Sequence, residues 1–203
     1  MLSKMENKTD KKQRVIDFAK KIHIKNEFNY HILPVVNNSI LLAKKLKANE
    51  EVVEISAYLH DITNSMKRED VKEYVLKNDH HITGAKEAVR ILREIGYDEE
   101  FIKKVEHCVL AHRGRSNIEP ETKEAEIVAC ADAMSHFDTF LELVPLFSRT
   151  AGSFEAGIIK LDEKIERDWN KKLRIPETKE IVKEKYKAIK LLLNSMKEYI
   201  KED

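Results

Sequence analysis

Five glycines and four prolines in 203 residues leave this chain few places to break a helix. Those two residue types punctuate backbone structure most strongly, so their scarcity beside abundant Lys, Glu and Ile predicts an all-α fold. Apolar residues recur at helical spacing along most of the chain. The pattern predicts helices over about residues 10–24, 31–47, 50–61, 71–77, 80–95, 98–112, 123–140 and 178–201. Pro34 is compatible with a first helical turn, where its missing N–H would be unpaired anyway. Gly96 reads as a C-cap. Residues 143–157 hold the most breakers and 161–180 are highly charged, yet nothing there resembles a second domain. We expect a single domain over 1–203, with a helical-bundle core at about 28–140. Its extension, 141–203, would pack on the core, cover a site or form a homo-oligomer.

Lys and Arg total 37 against 36 for Asp and Glu, a net charge of +1. A general nucleic-acid-coating protein needs a clear basic excess, so that class is excluded. A local basic patch over an anionic small molecule is not. Cys108 and Cys130 fall among small or apolar residues in helical patterns, which reads as two buried thiols in a reducing compartment. No run approaches the ~18 apolar residues of a membrane span. The N-terminal stretch is charged and lacks the apolar centre of a signal peptide. A cytoplasmic protein with no membrane partner is the expectation.

Imidazole and carboxylate are the usual protein ligands of catalytic divalent metals. His31, His60, Asp61, His80, His112 and Asp132 are spread over five helical segments, four of which put the ligand-type residue on, or at the end of, an otherwise small or apolar stripe. Val53, Ala57 and His60 fall at i, i+4 and i+7; Phe101, Val105, Cys108 and His112 fall at i, i+4, i+7 and i+11. Small residues, Ala129, Ala131 and Ala133, surround Asp132 and let other helices approach. Any one such histidine is readily a hydrogen-bonded core residue. Burying the whole set without a shared counter-charge would cost several kcal/mol, and a divalent cation is the simplest compensation.

The order His31, then His60–Asp61, then Asp132 resembles the HD-domain superfamily of metal-dependent phosphohydrolases. Two further segments are similar to its two-metal branch: HHITGA fits H-x-x-x-G-A and points to His80, and AHRG points to His112. The similarity covers roughly residues 28–140. It implies an HD-like helical bundle with His31, His60 and Asp132 on one metal, His80 and His112 on a second, and Asp61 bridging as the catalytic carboxylate. Two divalent transition metals per chain follow from it, with Fe or Mn preferred and Ni, Co or Zn open. The implied reaction cleaves a phosphate ester or anhydride of a nucleotide-like small molecule with metal-activated water. A one-metal nucleotidase and a non-catalytic module binding a nucleotide or partner remain alternatives.

Several neighbours compete or assist. His81 is the rival of His80. His107 lies about 140° around its helix from the His112 stripe, on a solvated flank. His23, between two isoleucines, reads as structural. His136, one turn after Asp132, would stand behind the ligands, touch substrate or lie on the helix surface. Arg113, Arg115 and Lys67 are candidate phosphate contacts, with Arg68 and Lys86 behind them; solvated loop residues are the other reading. Asn64 occupies the place where many relatives carry a lysine. HDITNS lacks the acidic pair of the alarmone-hydrolase branch, and AHRGRSNIEP lacks the Gly-Tyr-Pro of the cyclic-dinucleotide branch, so both substrates are disfavoured.

Overall fold

The computed structural model describes residues 2–66, 80–113 and 118–201, and these form helices with no strand among them. Helix α1 spans Leu2–Ile22. A short turn, α2 (Lys25–Glu27), runs through a π-helical turn (Phe28–Ile32) into α3 (Leu33–Leu46). Next come α4 (Glu50–Leu59) and α5 (Ile62–Ser65), then α6 (His80–Ile95), α7 (Glu99–Ala111) and α8 (Lys123–Asp138). The extension holds α9 (Phe140–Ala151), α10 (Phe154–Arg167), a second π-helical turn (Asp168–Lys172) and α11 (Pro176–Lys201). The helix expected over 71–77 lies outside the described residues.

Four helix starts are set by a local side chain. Asn49, Asp98, Thr122 and Ser153 each accept the N–H three residues ahead, at 3.2, 2.9, 3.2 and 3.1 Å. Such a cap stabilises a helix by about 1 kcal/mol. Gly96 ends α6 as expected, at φ +93°, with its N–H and that of Tyr97 closing on the last turn.

Helix α8 is the axis of the bundle. Ala125 and every residue from Ile127 to Phe137 are buried, because the alanines let α3, α4 and α7 close on one side and α11 on another. A helix enclosed this way has no solvated face to accommodate Asp132 or His136, so both must find partners inside.

The breaker-rich segment is more helical than its composition predicts. Pro145 lies inside α9, and the one break is at Gly152 (φ +90°), which turns α9 back on α10. At Gly157 a Cβ would sit 2.6 Å from Ser148 N and Cα. The two backbones touch there, and only glycine permits it. The charged stretch, given no element from the sequence up to residue 178, forms the second half of α10, the second π turn and the start of α11, and it carries cations to the site.

Candidate metal centre

Five of the six expected ligand side chains come from α4, α6, α7 and α8 or their ends, and the sixth from the first π turn. In that turn Leu33 N–H reaches back to Phe28 O. Pro34 explains the widening. It has no N–H for the Tyr30 carbonyl, and its ring crowds that carbonyl, so the preceding turn opens by one residue. His31 therefore sits in a π turn rather than at a helix start.

His60 caps α4 with its side chain fully buried; its Nδ1–H donates to Ala57 O at 2.8 Å. His112 caps α7 in the same way, donating to Val109 O at 2.6 Å. Each ring thus turns an unprotonated Nε2 inward, the tautomer a metal needs. Gly84 lets α6 approach this end of α4: a Cβ there would lie 3.4 Å from His60 O. That close approach puts His80, one turn earlier, over Asp61.

Four imidazoles converge on the Asp61 carboxylate. Oδ2 lies 3.3 Å from His31 Nε2 and 3.7 Å from His60 Nε2. Oδ1 lies 3.5 Å from His80 Nε2 and 3.6 Å from His112 Nε2. Asp132 Oδ1 completes the first set, 3.6 Å from His31 and 3.9 Å from His60. Two triads result, His31–His60–Asp132 and Asp61–His80–His112, each with its ligand atoms close enough for a single ion.

Two observations show that these residues fit a cation. Asp61 Oδ1 is buried and accepts no hydrogen bond, although an orphaned carboxylate oxygen is costly. His31 Nε2 and His60 Nε2 face one another at 3.1 Å, an arrangement only a proton or cation between two lone pairs relieves. Burial would raise the Asp61 carboxyl, but His60, His112 and His31 hold it well below the ordinary carboxylate range. Burial drives His60 the other way, down to about 3. His31 is raised: burial opposes its charge, but Asp61 and Asp132 outweigh it.

Of the competing histidines, His80 lines the cleft over the centre and His81, although buried, does not. His107 Nε2 accepts Glu121 N–H at 3.0 Å, away from the site. His23 is buried against Glu27, 3.2 Å away. His136 points inward, with Nε2 3.6 Å from Asp132 Oδ1 and its ring stacked on His31 at 5.7 Å. Its Nδ1 is 2.9 Å from Asp168 Oδ2. Arg113 lines the cleft as expected. Lys67, Arg68 and Arg115 lie outside the described residues.

The extension supplies what the sequence did not disclose. Lys172 Nζ meets Asp132 Oδ2, leaving Oδ1 to the imidazoles. Lys164 Nζ lies 2.9 Å from Asp168 Oδ2. With Lys160, Glu163 and Arg167 these residues form the far wall of a cleft of about 540 Å³ over the centre. Asn64, in the place of the family's lysine, is exposed, so the ammonium groups described here come from the extension.

A helical bundle that gathers imidazoles and carboxylates into two cation-ready triads is the framework of a metal-dependent hydrolase. Residues 29–136, more than half the chain, match the family model for the HD domain. The chain belongs to the HD-domain family. It is 36% identical over 108 residues to Ribonuclease Y of Thermosipho melanesiensis, a segment covering 50% of this chain and 18% of that protein. A crystal structure of a predicted HD superfamily hydrolase from an uncultured Thermotogales bacterium has the same fold. The two superpose with a TM-score of 0.59 over 92% of each chain, at 17% identity. No helix among the described residues is long and apolar enough to cross a membrane.

Proposed function

We propose that the chain is a two-metal phosphohydrolase acting on a phosphate ester or anhydride of a nucleotide-like small molecule. His31, His60 and Asp132 would hold one cation, His80 and His112 the other, and Asp61 both. The observation that carries this reading is the Asp61 carboxylate, each of whose oxygens faces a different pair of imidazoles. A one-metal nucleotidase gives no reason for His80 and His112 to gather on Oδ1. Mixed imidazole and carboxylate ligation suits Mn or Fe better than Mg.

Divalent metals bound there supply Lewis acidity and an activated water for phosphoryl transfer. The chain's own groups do the rest. Backbone carbonyls at Ala57 and Val109 keep two imidazoles in register. Lys172 neutralises one oxygen of Asp132 and fixes the other toward the centre. Asp168 holds His136 against the same carboxylate. Arg113, beside His112 at the cleft wall, would take phosphate oxygens, as a guanidinium can in bidentate fashion.

The likeness to Ribonuclease Y favours a second reading, a phosphodiester in RNA. Metal analysis of protein purified with Mn, then assays on nucleoside mono-, di- and triphosphates and short RNA, separate the two. About two metals per chain and turnover of a nucleotide, both lost in Asp61→Asn, are expected. Metal-loaded protein that turns over RNA alone would move the function to the second reading. Protein that binds no metal would end both.

A further inference from the structure

We propose that the wall built by α10 forms a second anion subsite, so that the substrate carries a phosphate beyond the one at the metal centre. Its chemical class is then a phosphoanhydride, such as a nucleoside di- or triphosphate, rather than a simple phosphomonoester. The inference rests on the two-metal reading above and deepens it.

Charge is the first ground. Within the cleft Asp132 is matched by Lys172, and Asp168 by Lys164. Arg113, Lys160 and Arg167 also line it, with Glu163 as the carboxylate among them. Arg167 Nε also lies 4.0 Å from Asp168 Oδ1, and over the whole lining five cationic side chains stand against four carboxylates, Asp61 included. The cations the centre is built to hold would more than neutralise Asp61 and make the surplus larger. Confined positive charge of this kind calls for a polyanion.

Register is the second ground. Lys160, Lys164 and Arg167 are spaced i, i+4 and i+7 on α10, hence on one face. That face is fixed rather than adjustable, because Gly157, less than one turn before Lys160, brings the α10 backbone into contact with α9 at Ser148. Size is the third. The cleft of about 540 Å³ falls inside the range of about 300–1,000 Å³ typical of small-ligand pockets. A lone phosphate would leave most of it empty, and Phe147 on its wall offers a face for a nucleoside.

Two non-hydrolysable probes test this: methylenediphosphonate, with two phosphate-like groups, and methylphosphonate, with one. Their affinities for Mn-loaded protein, dialysed free of excess Mn, are measured by titration calorimetry. The wild type should bind the diphosphonate at least about tenfold more tightly, as one or more added charge-assisted contacts predict. Lys160→Met/Arg167→Met should bring that ratio to within about threefold with Mn content unchanged. Lys160→Met alone changes only an exposed side chain and should lower the ratio by about threefold or more. Lys44→Met/Lys103→Met, which removes two exposed charges not lining the cleft, should leave the ratio as in the wild type. Equal affinities in the wild type, a ratio unmoved by either cleft variant, or an equal drop in the control would overturn the subsite while the metal centre stands. A wild type that takes up no Mn would overturn the two-metal reading itself, and the subsite with it.

Discussion

Substituting Lys172→Met should destabilise the metal-free protein far more than the metal-loaded one. Lys172 and Asp132 form a nearly closed pair, 7% and 9% exposed at the side chain. Methionine matches the lysine stem in volume, so the substitution chiefly removes the ammonium and leaves Asp132 Oδ2 unpaired. Breaking one side of a buried pair costs about 3–5 kcal/mol, because the remaining charge has lost its compensation. For a chain of this size that lowers Tm by roughly 6–20 °C, at about 2–4 °C per kcal/mol. A divalent cation at Asp132 Oδ1 changes the outcome. The carboxylate is then neutralised from its other side, and the loss shrinks to that of one hydrogen bond to a charged group, about 1.5–3 kcal/mol. The assay is thermal or urea unfolding of wild type and variant, each chelator-treated and each Mn-loaded. Metal should recover roughly 1.5–2 kcal/mol of the loss, or about 3–8 °C. The same destabilisation with and without Mn would refute the reasoning, because it would mean that Asp132 never faces a cation.

His80→Ala should cost one of two bound metals, whereas His81→Ala should leave metal content unchanged; elemental analysis of the purified variants decides between them. Acid should destabilise the chelator-treated protein before its carboxylates titrate. His60 is pushed down to about 3, so an unfolded chain takes up that proton from about pH 6.5 while the folded chain refuses it until about pH 3. Stability from this group is complete above pH 6.5 and is lost as pH falls through that window. Burial lowers His80 and His136 as well. Only His31, which is raised, works oppositely, stabilising below pH 6.5 and losing that contribution as pH rises through its folded value. Urea midpoints at pH 7.5 and 5.5 should therefore differ by about 1.4 kcal/mol per pH unit for each net proton, with pH 7.5 the more stable; equal midpoints would contradict the burial argument. Gly157→Ala should lower stability by about 1–3 kcal/mol through the clash at Ser148. It should weaken diphosphonate binding yet retain metal, since no metal-ligand candidate lies in α9 or α10.

The metal centre was legible because three of its members sit on short-range patterns. His60 ends a stripe with Val53 and Ala57, His112 ends one with Phe101, Val105 and Cys108, and the alanines around Asp132 announce close helix contact. What faces the centre was not legible, for a physical reason. In a chain where 36% of residues are charged, a Lys or Asp on a helix is by default part of a solvated face. It acquires meaning only when its register is known. For Lys172 and Asp168 the sequence does carry that register: Leu161, Ile165, Asp168 and Lys172 stand at i, i+4, i+7 and i+11, the spacing that singled out His112, and all four are buried. Charges that continue an apolar stripe are charges with buried partners. The π turns were harder to foresee. Their defining hydrogen bond is one residue longer than in an α-helix and leaves no periodic trace, although Pro34 supplies a local cause for the first. Both carry groups of the cleft, His31 in one and Asp168 with Lys172 in the other. A widened turn shifts the following register by one residue, re-aiming a side chain without breaking the helix. That is how a bundle of ordinary helices can point a carboxylate, an ammonium and an imidazole into one cleft.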